Sequence, residues 1–363
     1  MSFVYYRLPH TNKAYRNKLD SEPEEFASLT ELNGRRGFVI APFCPDSQCP
    51  ILLLNTEWEE VSTNDDCATE AHLINANYED DMERYAIDFE NYHAQLRDGC
   101  FAKIVLARSS QLIATENISM LTLFRRACRK YPRMFVALFG TRRSGTWLIA
   151  TPEILVSGKA GDMHTMALAG TMRLTGEALG FDIKGSGIDK DYIHWSTKNI
   201  QEQRYVETYI TECVEQFTDN FSTEGPYTSR AGDLVHLRSD IRFGLDDVSH
   251  MGDLLQALHP TPAVCGIPKD ATRMFIQHNE SKPRLYYSGF SGLLDPNADT
   301  NLFVTLRCMR IDTGSCSPNV TDTAQTYTLY AGGGLLKDSQ CQTEWEETEA
   351  KMNTMRQTFK NYV

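Results

Sequence analysis

Apolar residues change their period several times along this chain, and each change predicts an element. Between Asp81 and Arg97 the positions Tyr85, Ile87, Phe89, Tyr92 and Leu96 recur at roughly helical spacing, and Gly99 then breaks the run before an apolar strand, Phe101–Arg108. Leu121–Lys130 predicts a helix, Met134–Phe139 and Thr146–Ala150 a hairpin across the Gly140–Gly145 turn, and Glu153–Ser157 a short strand. Val206, Ile210, Cys213 and Phe217 form an apolar stripe along a helix over 199–217. Arg36–Phe43, Pro50–Leu54, Arg284–Gly292 and Leu302–Ile311 read as strands, and Asp270–Gln277 as a helix. Leu258–Pro268 is a proline-stiffened loop, and the polar run Asp312–Gln325 predicts an exposed one. Residues 1–82 carry no motif with evident chemistry and are expected to cover the core, while Ser222–His250 shows no clear period. Strands and helices alternate without a strict βαβ rhythm.

Polar residues interrupt these patterns in two informative places. Extended backward, the stripe of the 199–217 helix lands on Glu202 and Asn199, and a carboxylate on the buried side of a first turn is expensive unless cations or donors meet it. The same glutamate would also simply favour a helix N-terminus. Further on, Tyr330-Ala-Gly-Gly-Gly334 predicts a glycine turn, followed by a helix start with Glu344, Glu347 and Lys351 on one side. Without Cβ atoms, Gly332, Gly333 and Gly334 let an anion approach backbone N–H groups, and oxygen-only acids on one face suit a hard cation such as Mg2+. A hairpin turn followed by a solvated helix with a Glu347–Lys351 surface pair accounts for these residues equally well.

Composition narrows the function classes. The 363 residues are 41% hydrophobic and 23% charged, enough for a large core. A net charge of −12 with no basic run argues against a nucleic-acid surface, so an anionic ligand would need local cations or a metal. The ten cysteines show neither CxxC pairs nor zinc spacing and read as reduced packing thiols. No apolar run approaches the length of a membrane span, and the N-terminus has no apolar signal core, which leads to the expectation of a cytoplasmic, unanchored protein.

Six ordered blocks then coincide with one pattern. They are Lys103-Ile-Val-Leu-Ala-Arg108, Ala150-Thr-Pro-Glu153, Leu168-Ala-Gly-Thr171, Lys198-Asn-Ile-Gln-Glu-Gln203, His259-Pro-Thr-Pro-Ala263 with Gly266-Ile-Pro268, and Ala331-Gly-Gly-Gly334 running to Glu344-Trp-Glu-Glu-Thr348. Over about residues 83–358 the chain resembles the chorismate-utilising enzymes, and among them the isochorismate synthases. The resemblance implies a single large α+β domain, sheets packed under helices around a deep site, with 1–82 a divergent N-terminal part of the same domain and 83–363 its catalytic core.

The resemblance also implies roles. Glu202, Glu344 and Glu347 match the acids that hold Mg2+, whereas Asn199 stands where the family usually has another acid. Asp338-Ser-Gln-Cys341 departs from the usual Ser-Asp-Pro-Glu-like run. Lys103 matches the base that takes a proton from water, and Glu153 the acid that protonates the departing hydroxyl; a snorkelling lysine and a plain strand-end glutamate are the alternatives. Arg307 matches the arginine that grips the enolpyruvyl carboxylate, although a strand arginine can equally make a surface pair. Gly170, Thr171, Ala263, Gly332, Gly333 and Lys351 complete the expected substrate site.

Within the family, lysine rather than glutamine at 103 argues for water over ammonia and for no glutamine amidotransferase subunit. Alanine at 169 removes the nucleophilic lysine of aminodeoxychorismate synthases. Alanine at 263, where salicylate synthases carry threonine, favours an enzyme that stops at isochorismate, with the salicylate synthase as the alternative. Both menaquinone and siderophore pathways begin with this reaction. The absence of an interface stripe leads to the expectation of a monomer.

Overall fold

The computed structural model describes residues 2–18, 22–64, 68–75, 77–174, 194–231, 234–312 and 325–360. Two antiparallel sheets make up its centre. The first runs in the order Gly266–Ile267, Lys103–Ala114, Thr326–Leu335, Cys308–Asp312, Gly145–Thr151, Phe135–Thr141, Phe3–Arg7, Ala14–Asn17 and Trp58–Val61, with Leu73–Ile74 paired to the end of Lys103–Ala114. The second runs Phe221–Ala231, Leu234–Gly244, Asp162–Arg173, Ile154–Lys159, Asp299–Val304, Phe290–Leu294, Gly37–Ala41, Ile51–Leu54 and Glu24–Phe26. Among the described residues six helices cover them: α1 (Tyr78–Arg97), α2 (Met120–Lys130), α3 (Thr197–Glu215), α4 (Met251–Leu258), α5 (Lys269–Asn279) and α6 (Cys341–Arg356).

The central strands are apolar at nearly every position because both of their faces are buried, and side chains alternate between those faces. Phe135, Ala137, Phe139, Trp147, Ile149, Phe38 and Ile40 point into a core between the two sheets, where the rings of Phe135 and Phe303 stack 4.3 Å apart. Val136, Leu138, Leu148 and Ala150 face the other way, against α2 and the end of α6. The outer face of the second sheet packs on α3 and α4 through Val206, Ile210, Leu254 and Leu258. Layers of helix, sheet, sheet and helix result. The strands of residues 3–61 extend one flank of each sheet, so this part of the chain is integral to both.

Several expected elements take other forms. The expected glycine turn is absent: Gly332, Gly333 and Gly334 lie inside the strand Thr326–Leu335, opposite Ala107, Leu106 and Val105. The residues are small there for clearance, since a Cβ on Gly332 would come within 2.9 Å of the Tyr287 hydroxyl and one on Gly334 within 2.9 Å of Lys103 Cε. Leu302–Ile311 is two strands in different sheets, broken at Arg307, whose φ of 46° lies in the left-handed region. Arg284–Gly292 is mostly turn, with positive φ at Leu285 and Ser288, and its strand begins at Phe290. The stretch that shows no period, Ser222–His250, holds two long paired strands, Phe221–Ala231 and Leu234–Gly244. Most of the polar run Asp312–Gln325 lies outside the described residues.

Candidate functional site

Two of the points at which the chain passes from one sheet to the other lie side by side, and both carry a residue singled out by the sequence. Glu153 follows Gly145–Thr151 of the first sheet and precedes Ile154–Lys159 of the second; Arg307 makes the return crossing from Asp299–Val304 to Cys308–Asp312. Val304 N donates to Glu153 O at 3.0 Å and Ala150 N to Arg307 O at 3.2 Å, which ties the crossings together. Between them and α3 lies a cavity of about 60 Å³, lined among others by Glu153, Thr171, Glu202, Ala263, Arg307 and Lys351. Gly170, Gly332 and Gly334 also line it. A wider groove of about 990 Å³ opens beside it, with Thr171 on the wall of both.

Glu153 is buried, and desolvation pushes its carboxyl up to about 8 against the opposing pull of Lys103, Lys351 and Arg307. It is therefore protonated at neutral pH. Arg307 is buried too; its Nη1 donates to Ala231 O at 3.2 Å and its Nη2 to His236 Nε2. Desolvation first, then the charges of Arg307 and Lys351, push His236 well below its usual range, so the imidazole is neutral. Since Nε2 accepts from Arg307, the proton sits on Nδ1, which donates to Gly170 O at 3.1 Å. Gly170 occupies a bulge in the strand Asp162–Arg173 with φ of 67°, and a Cβ there would press on Asn199.

The three expected metal acids are each met by a lysine. Lys103, with no exposed surface, pairs with Glu202 at 3.1 Å between Nζ and Oε1. Lys351 pairs with Glu347 at 2.7 Å and donates to Gly332 O at 2.8 Å. Lys198, in the first turn of α3, pairs with Glu344 in the first turn of α6. Burial would raise the Glu202 carboxyl, yet Lys103, Lys198 and Lys351 together hold it below its usual range. Glu344 is pushed up, by burial first and then by the charge of Glu347.

These acids do not form a ready three-ligand cluster: among the described residues no group of three His, Cys, Asp or Glu side chains is already placed to hold an ion. Their chemistry nevertheless fits a hard divalent cation. The donors are all carboxylate oxygens, two like-charged acids lie close together, and Glu344 Oε2 is buried with no hydrogen-bond partner in the structure. Asn199 packs against the Gly170 bulge.

Sequence reasoning missed Lys198 and His236 as site residues. Lys198 had a readable signal, since it precedes Glu202 by one helical turn. His236 had none, because it reaches the site only through the pairing of Leu234–Gly244 with Asp162–Arg173. It missed Arg108 as well, whose guanidinium lies 3.6 Å from the centroid of the Trp345 ring, donates to Thr348 Oγ1 at 2.7 Å and pairs with Glu349, fixing α6 to the strand Lys103–Ala114.

Comparison with known proteins gives the family and the fold. Residues 43–360 match the chorismate binding enzyme family. The salicylate biosynthesis isochorismate synthase of Pseudomonas aeruginosa is 32% identical over 268 residues, 73% of this chain and 52% of that protein. An isochorismate synthase of Bacillus subtilis is 30% identical over 281 residues, 75% of this chain and 67% of that one. The match thus spans about half to two thirds of these relatives' own lengths. The structure of the menaquinone-specific isochorismate synthase of Escherichia coli superposes with a TM-score of 0.75 at 19% identity, covering 99% of this chain and 89% of that one, and so shares its fold. The family match over most of the chain decides the assignment: this protein belongs to the chorismate binding enzymes.

Proposed function

We propose that this protein is a magnesium-dependent isochorismate synthase, an isomerase that interconverts chorismate and isochorismate. The observation that carries the reading is Glu153, a buried carboxyl that burial keeps protonated at neutral pH, facing the same cavity as Arg307 and as Glu202, the partner of Lys103. A pure binding site has no need of a buried acid held in its proton-donating form. The named isochorismate synthases among its relatives support the same choice.

In this reading water adds at C2 of the ring, the ring double bonds shift, and the C4 hydroxyl leaves as water. Lys103, once it has released its own ammonium proton, takes the proton from the attacking water, and Glu153 gives its proton to the departing oxygen. Returned protons restore both groups for the next turnover, so the reaction is redox-neutral. Arg307 holds the enolpyruvyl carboxylate through its planar fork, oriented by neutral His236. Thr171 offers a hydroxyl, the backbone of Gly170, Gly332 and Gly333 lets the substrate lie close, and Ala263 leaves its side of the pocket small. Glu202, Glu344 and Glu347 would hold Mg2+, with Lys351 supporting Glu347. When bound, the ion supplies Lewis-acid stabilisation of charge on the ring carboxylate.

The test is incubation of the purified protein with chorismate and Mg2+, without ammonium salt, and chromatography of the products. Isochorismate in equilibrium with chorismate, lost on adding EDTA, is the expected result. Salicylate and pyruvate as main products would assign the lyase, and no turnover would overturn the enzymatic reading.

A further inference from the structure

Lys198 stands at the convergence of three carboxylates. It extends from the first turn of α3, one turn before Glu202, and its ammonium lies on Glu344 Oε1, while Glu202 and Glu347 also act on it electrostatically. The Glu344 side chain is 1% exposed, so its charge has no help from solvent. Its second oxygen, Oε2, is buried and has no hydrogen-bond partner in the structure. Lys103 pairs with Glu202, and Lys351 with Glu347 and Gly332 O, so Lys198 is the cation that meets Glu344. The Lys198 side chain is also the most exposed of the three at 23%, compared with 0% for Lys103 and 19% for Lys351. It sits on a flexible four-carbon stem and can withdraw without opening the core.

Resting on the reading that Glu202, Glu344 and Glu347 hold the metal, we propose that Lys198 is a built-in counter-ion that holds these acids together when no metal is bound and gives way to a divalent cation. It is a positioning residue that sets metal affinity. Three lysines against three glutamates make the metal-free site close to neutral, so the acids can stay buried and facing one another without mutual repulsion. Entry of a divalent cation requires Glu344 Oε1 to exchange its ammonium for the ion. A cation that must displace a resident charge binds less tightly than the same acids alone would allow. The site then gains two positive charges, which an incoming dianion balances, so metal and substrate each favour the other's binding.

The test reads metal binding directly, in the absence of substrate. Mn2+ binding to the full-length protein is followed by electron paramagnetic resonance of the free ion and Mg2+ binding by calorimetry, for the unmodified protein, K198Q, K198M and K198R. Removing one charge at this distance is expected to tighten binding roughly tenfold or more in K198Q and K198M. K198R, which keeps the charge, is expected to stay within about threefold of the unmodified protein. In parallel, K198M should lower the melting temperature of the metal-free protein while enlarging the upward shift that Mg2+ produces. Unchanged or weaker metal binding by both K198Q and K198M overturns the proposal. A separate control, Glu347→Gln, tests the underlying assignment: if it binds Mn2+ as the unmodified protein does, the assignment of the metal acids fails and the role of Lys198 falls with it.

Discussion

Gly334 and Glu202 sit so close that a Cβ added to the glycine would fall far inside van der Waals contact with Glu202 Oε1. Two elements just over 130 residues apart in sequence, a strand of the first sheet and the first turns of α3, thus meet with no room for a methyl group. The glycine triplet is a clearance device that lets a lysine and a glutamate share one buried point.

Gly334→Ala is accordingly expected to displace the Lys103–Glu202 pair and lower turnover on the order of 100-fold, with a stability loss of about 1–3 kcal/mol from overpacking. Gly333→Ala should be milder, because the added atom would lie 3.0 Å from Glu344 Oε2, a side-chain end that can shift. Turnover and thermal melting of the two variants check this. Equal effects would show that clearance at Gly334 is not special.

Glu153 should leave a mark on the pH profile. Its carboxyl, raised to about 8, gives up a proton only in mild alkali, so kcat/KM is expected to fall above about pH 8 as the donor is lost. For stability the sign follows the same shift. A carboxyl whose folded pKa lies above its ordinary value of 4.5 contributes its full stability below that value, and the contribution is lost as pH rises through about 8. Glu153→Gln should remove both trends, making stability on the order of a few kcal/mol less dependent on pH across this window while lowering turnover about 100-fold or more. Denaturant melts and rate profiles from pH 5 to about 9.5 test it. A profile of unchanged shape in the variant would assign the inflection to another group.

Lys103→Ala is expected to cost about 100-fold or more in turnover. It also leaves Glu202 buried beside a hole, so metal-free protein should lose stability by roughly 3–5 kcal/mol. Turnover within a few fold of the unmodified protein would remove Lys103 from the chemistry.

Arg307→Lys keeps the charge but loses the fork that reaches Ala231 O and His236 together. A rise in KM for chorismate of roughly 10- to 100-fold with a smaller change in kcat is the expected signature of lost ground-state grip. A fall in kcat alone would place Arg307 in the chemical step instead.

How far the sequence disclosed this site depends on what each residue answers to. Helices with an apolar stripe were readable because helical spacing is local: Val206, Ile210 and Cys213 face the core as their spacing predicts, and Glu202 extends their stripe into the site. The hairpin 135–151 was readable for the same reason. What escaped was set by distant partners. The three glycines look like a turn in isolation, and only the neighbouring Glu202, Lys103 and Tyr287 explain their place within a strand. Arg307 lies between apolar neighbours that suggest one continuous strand, although the chain changes sheets there. Phe221–Gly244 carries alternating polar residues such as His236 and Asp240, whose burial comes from the partners that meet them, Arg307 and Arg238, and the neighbouring strand and from nothing in their own period.

The two crossings at Glu153 and Arg307 have a mechanical consequence. Acid and arginine are mounted on the seam where the two sheets are stitched, so the distance between them is a gauge of how one sheet lies over the other. The strands Phe3–Arg7 and Gly37–Ala41, on opposite sides of the inter-sheet core, act as shims that set that gauge through Val4, Tyr6, Phe38 and Ile40. A part of the chain with no chemistry of its own thereby packs the core across which the Glu153 carboxyl and the Arg307 guanidinium are spaced.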